Sequence, residues 1–145
     1  MATSVKYFGA NGWLIDLSSI RILVDPWLTG DLTFDPGGWL VRGILKEKFD
    51  PPENIDLILL TQGLSDHSHR ETLKLFDLNT PILGSDSASK LAKEIGFRNV
   101  EIIKPNSQLQ FQNIQIEATK GAPVPAPENG YIIRSSSSSI YIEPH

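Results

Sequence analysis

The sequence predicts a mixed α/β fold, a sheet covered by helices, on three observations. Three short β-prone runs separated by turn residues open the chain, a strand, helix, strand, helix order follows from residue 55, and short alternating strands fill the last third. With 145 residues, 40% of them hydrophobic and 21% charged, there is enough apolar material for one domain with its own core.

Residues 5–8, 13–17 and 20–24 read as an antiparallel meander, because Gly9-Ala10-Asn11-Gly12 and Ser18-Ser19 supply turns between them. Asp25-Pro26-Trp27 ends the third strand, since proline cannot donate to a ladder, and residues up to Pro52 are expected as a long loop with exposed aromatics. Trp13, on an alternating strand, is assigned to the core; Trp39, beside Gly37 and Gly38, is a candidate for a pocket or interface. Pro51-Pro52-Glu53-Asn54 then introduces a mostly apolar run, 55–60, that reads as a buried strand carrying residues 61–67 on a loop at its C-terminal end. That end of a strand is where α/β folds usually place chemistry.

Residues 69–78 fit a short helix with Leu73, Phe76 and Leu75 on one side, and 81–84 fit another strand. Ser85 or Asp86 can cap a second helix whose apolar face is Ala88, Leu91, Ala92 and Ile95, stopped by Gly96. Strands are expected at 100–103, 109–111, 114–118, 131–133 and 140–142, the serine tract 135–139 serving as a flexible hairpin loop. There is no internal repeat.

The net charge of -4 and pI near 5.3 argue against a broad phosphate-binding surface, so nucleic acid is not an expected partner. Without cysteine the chain has no disulfide, no thiolate nucleophile and no cysteine-rich zinc site; any metal would rest on His, Asp and Glu. The N-terminus lacks an apolar signal core, and no apolar run approaches the ~18 residues that span a bilayer, so a cytoplasmic protein with no membrane partner is expected.

The stretch Thr61-Gln62-Gly63-Leu64-Ser65-Asp66-His67 follows its strand in company with other motifs. These are Tyr7-Phe8-Gly9 before Trp13-Leu14-Ile15, Ile22-Leu23-Val24-Asp25-Pro26-Trp27, and Asn129-Gly130-Tyr131-Ile132-Ile133 leading to Ile140-Tyr141. In that order they resemble the metallo-β-lactamase superfamily, in the branch that includes ascorbate-6-phosphate lactonase and related small metal-dependent hydrolases. The resemblance implies an αββα sandwich assembled from similar halves. Residues 1–145 would form a single domain made of the N-terminal half plus the start of the second half, incomplete at the C-terminus. It also implies a hydrolase acting on a small-molecule ester, lactone or phosphoester.

In that family the first two histidines of the loop, with a later one, hold one metal; the Asp-His pair, a bridging aspartate and a final histidine hold the second. Here Gln62 and Leu64 take the first two positions and no histidine falls within 118–127, so the resemblance implies that the first metal position is lost. Asp66 and His67 match the second, and His145 lies close to the place of the bridging aspartate. Asp66, His67 and His145 are therefore candidate ligands of one zinc, manganese or iron ion, with Asp66 also the candidate catalytic residue.

The other reading has no metal: Asp66 caps the following helix, His67 is satisfied in the core, and the chain is a non-catalytic binding or assembly module. His69, outside the pattern, reads as a surface residue at a helix start or as a fourth candidate ligand. Asp25 matches a family aspartate but reads as stabilising the turn before Pro26. Absence of most of the second half would leave an apolar face open, which motivates a homodimer; a monomeric peak in light scattering with no dye-binding surface would count against it.

Overall fold

Two β-sheets stack face to face in the computed structural model, which describes residues 3–34, 36–121 and 128–144. The meander is present as expected: β1 (Ser4–Gly9), β2 (Gly12–Leu17) and β3 (Ile20–Val24) pair antiparallel, with Tyr7 opposite Trp13 and Ile15 opposite Ile22. Gly9 at φ 104° and Ala10 at φ 46° make the tight first turn and leave Asn11 at its tip.

The order then turns parallel. β6 (Leu57–Leu60) pairs with β3, β7 (Ile82–Gly84) with β6, and β8 (Val100–Ile102) with β7, completing a six-stranded mixed sheet in the order β1-β2-β3-β6-β7-β8. The second sheet is antiparallel, in the order β12-β11-β10-β9, from β9 (Gln108–Phe111), β10 (Ile114–Lys120), β11 (Asn129–Arg134) and β12 (Ser139–Ile142).

Strand alternation assigns the two faces of the first sheet to separate cores. Ile15, Ile22, Leu57 and Leu59 meet Ile114, Ile116, Tyr131 and Ile133 between the sheets. Leu14, Leu23, Ile58 and Leu60 meet the helical layer through Leu73, Ala88, Ala92 and Phe97. Each fully buried side chain of this kind contributes roughly 1.5–3 kcal/mol, so the parallel strands are anchored from both sides. The described residues thus make an α/β/β stack, the first three layers of an αββα sandwich.

Several expectations are corrected. Helix α1 spans only Arg70–Leu73, not 69–78. Leu75 N and Phe76 N turn back to Thr72 and Leu73, and Asp77 closes an Asx turn on Asn79 N at 2.8 Å, which ends the helix early and leaves Leu75 exposed. The stretch expected to be loop up to Pro52 contains a two-stranded ribbon, β4 (Asp31–Thr33) with β5 (Arg42–Ile44). Within it Trp27 is buried, its indole donating to Gly30 O at 3.1 Å, whereas Trp39 is 80% exposed.

Trp13 is not core: it is 37% exposed and lies against Tyr7 of the edge strand β1, ring centroids 4.5 Å apart. Helix α2 (Asp86–Ile95) matches its expectation, capped by Ser85 and stopped by Gly96 at φ 115°. The serine tract is the β11–β12 hairpin loop, closed by Ser135 N donating to Ser138 O at 2.8 Å.

Candidate functional site

β3, β6 and β7 run parallel, and their C-terminal ends present Asp25, Thr61 and Ser85 along one rim of the first sheet. Asp25 sits immediately after β3 with φ 39°, an uncommon conformation for a residue with a side chain, and its carboxylate is buried. Oδ1 accepts Thr61 N at 2.8 Å, and Oδ2 accepts Thr61 Oγ1 at 2.5 Å and faces His67 Nδ1 at 2.9 Å. The expectation that Asp25 merely stabilises its own turn is corrected, since it joins the end of β3 to the loop after β6 and fixes an imidazole.

These contacts assign the tautomer. Thr61 gives its only hydroxyl proton to Asp25, so the proton between His67 Nδ1 and the carboxylate belongs to Nδ1. Nε2 is then the acceptor nitrogen, and the Asn11 amide nitrogen stands 3.3 Å from it. Asp66 Oδ2 is 3.5 Å from the same Nε2, and Asp66 Oδ1 is buried with no hydrogen-bond partner among the described residues.

Burial opposes a charged His67, but the hydrogen bond and charge of Asp25, followed by Asp66 and Glu128, outweigh it and raise the imidazole above its ordinary value. Burial likewise raises Asp25, against the His67 and Thr61 contacts that favour its charge. Both shifts favour retention of a proton by the Asp25–His67 pair.

Asp66 and His67, the adjacent pair singled out in the sequence, present a carboxylate oxygen and an imidazole nitrogen 3.5 Å apart, the donor types that zinc, manganese and iron take. A carboxylate behind the imidazole is the arrangement that orients a ligating histidine. His145 lies outside the described residues, and among those described no third His, Cys, Asp or Glu completes a metal-binding group.

The neighbouring positions do other work. Gln62 Nε2 donates to Glu128 Oε1, Ser68 Oγ donates to Gln62 O at 2.5 Å, and Leu64 offers no donor atom.

Asp66 does not cap the helix; His69 does, its Nδ1 accepting Thr72 N at 3.3 Å while Nε2 meets Asp31 O at 3.2 Å. His69 is thus at the helix start as expected, yet only 5% exposed, not on the surface. Sequence reasoning missed Asn11 and Glu128. Asn11 is visible only as a turn residue, and Glu128 is 66 positions from its partner Gln62.

A family profile described as "Beta-lactamase superfamily domain" matches residues 4–145. The chain belongs to that superfamily. Among curated proteins, this superfamily member is 29% identical over 99 residues to the UPF0173 metal-dependent hydrolase Ta0764 of Thermoplasma acidophilum, covering 68% of this chain and 38% of the relative.

Among solved structures it is similar to CmlA, a diiron β-hydroxylase from Streptomyces venezuelae (TM-score 0.72, 22% identity, 97% of this chain and 29% of that one). It is also similar to the isothiocyanate hydrolase from Delia radicum gut bacteria (TM-score 0.73, 18% identity, 94% of this chain and 60% of that one). At these identities the structural likeness establishes the shared fold. The chain spans 38% of the length of the curated relative and 29–60% of these two structures. Among the described residues no helix is long and apolar enough to cross a membrane.

Proposed function

We propose that the chain belongs to a metal-dependent hydrolase whose metal chemistry uses one ion at Asp66 and His67, with His145 the candidate third ligand. The observation that carries this reading is the arrangement around one imidazole. His67 Nδ1 is held by buried Asp25, so Nε2 and the Asp66 carboxylate face each other at 3.5 Å, with one carboxylate oxygen buried and without a partner among the described residues. An anionic oxygen in that position is costly to bury without a partner, and a cation would satisfy it together with Nε2. The description of Ta0764 as a metal-dependent hydrolase agrees with this reading.

When bound, such an ion supplies Lewis acidity and a water of lowered pKa. The residues of this chain do the rest of the work: Asp25 and Thr61 hold the imidazole in one tautomer, Asn11 occupies the Nε2 lone pair that it would yield to an ion, and Asp66 contributes charge beside the reacting position. The substrate class is a small ester, lactone or phosphoester. A panel of chromogenic esters, lactones and phosphoesters tests this with zinc-loaded protein. Turnover that requires metal and disappears in His67→Ala and Asp66→Ala is expected; equal turnover in those variants, or none in zinc-loaded wild type, contradicts it.

A second reading, a non-catalytic binding or assembly module on the same fold, draws on Gln62, whose amide nitrogen is engaged by Glu128, and on Leu64, which leave the first half of the motif without an imidazole or carboxylate donor. Folded protein that takes up no metal would favour this module.

A further inference from the structure

The loop after β6 is stitched to the start of β11 by three successive hydrogen bonds. Tyr131 Oη donates to Leu60 O at 2.8 Å, Asn129 N donates to Thr61 O at 3.0 Å, and Gln62 Nε2 donates to Glu128 Oε1. The first two have as acceptors the backbone carbonyls of the last β6 residue and the first loop residue, while the third is a side-chain pair that is almost closed to solvent, Gln62 being 2% and Glu128 4% exposed. A carboxylate buried to that extent needs a donor, and the amide of Gln62 supplies one without adding charge.

Gln62 is itself braced, since its carbonyl accepts Ser68 Oγ at 2.5 Å and the next amide, Gly63 N, donates to Ser87 Oγ at 3.0 Å. It lies between Thr61, which binds Asp25, and the Asp66-His67 pair. A movement of Gln62 would therefore be passed to both ends of the site loop.

We propose that Glu128 is a positioning residue: through Gln62 it clamps residues 61–68 to the second sheet and so sets where Asp66 and His67 stand. The clamp stands on the geometry alone; its effect on metal rests on the single-ion reading above. Two measurements on the full chain test it, hydrogen exchange of the amides of 61–68 and zinc affinity by chelator competition with zinc chloride.

Glu128→Ala should speed exchange across 61–68 about tenfold or more and weaken zinc binding about tenfold or more. Glu128→Gln, which keeps an oxygen able to accept from Gln62, should stay within about threefold of wild type in both. Glu117→Ala, which breaks the Glu117–Arg134 ion pair of the second sheet, should leave both unchanged.

Unchanged exchange in Glu128→Ala, or the same acceleration in Glu117→Ala, overturns the clamp. If Glu128→Ala fails to fold, Gln62→Met removes the donor from the loop side and must give the same local acceleration. Wild-type protein that binds no zinc defeats the single-ion reading, and the exchange comparison alone then decides the clamp.

Discussion

Removing the Asp25 carboxylate deprives three donors of their acceptor at once: Thr61 N, Thr61 Oγ1 and His67 Nδ1. Asp25→Asn keeps the volume but directs an N–H at one of those donors, and loss of a buried charged partner costs roughly 3–5 kcal/mol. Chemical denaturation should show a loss of that order, and chelator competition should show zinc affinity about 10–100-fold weaker, because the imidazole is no longer oriented.

The raised values of His67 and Asp25 also fix a pH dependence for metal-free protein. Both shifts mean that the folded state holds protons the unfolded chain has released. The His67 part of this stabilisation is fully present below the ordinary histidine value of 6.5 and the Asp25 part below the ordinary carboxyl value of 3.8, and each is lost as pH rises through its folded-state value. Denaturation midpoints should fall with rising pH in wild type and vary less in His67→Asn. Zinc affinity should run the other way and weaken on acidification, because the proton competes for Nε2.

At the scale of the element, helix α2 and the loop after β6 share a boundary in which Ser85 caps the helix by accepting Ala88 N at 3.4 Å and Ser87 Oγ accepts Gly63 N. Ser85→Ala should cost about 1 kcal/mol, and Gly96→Ala about the same because φ 115° suits glycine alone; thermal melts check both.

This helix was legible in the sequence because cap, apolar spacing and glycine stop agree. The 57–60 strand was legible because a fully buried parallel strand is a continuous apolar run. The β4–β5 ribbon was not, since three-residue strands joined across a long turn carry no alternation signal. Helix α1 is shorter than its apolar spacing suggests because Phe76 still packs on the core after the chain has left helical geometry.

For the molecule as a whole, the two sheets meet at a polar seam as well as through apolar packing. Tyr131 is the centre of that seam, donating to Leu60 O and accepting Asn129 Nδ2 at 3.1 Å, and burial pushes its phenol upward so that it stays a neutral donor. Tyr131→Phe removes both phenol hydrogen bonds, while Leu60 O keeps Ser85 N and the Asn129 amide keeps Ile103 O. It should cost about 1 kcal/mol, the lower end of the range for a buried pair, in chemical denaturation while the two sheets remain stacked.

The Asp66-His67 pair of the candidate site is legible in the sequence because those residues are adjacent and follow a recognisable strand. The sequence could not show that Asp25, 42 positions away from His67, closes on the imidazole, or that Glu128 reaches Gln62 across the sheets. Those contacts exist only once the parallel strands are aligned.

Metal content of the purified full chain, stripped with chelator and reloaded, tests the central claim most directly when wild type is compared with His67→Ala. About one equivalent of zinc, manganese or iron in wild type, lost in the variant while the fold persists, is the predicted result. Folded wild-type protein that retains no metal would contradict it.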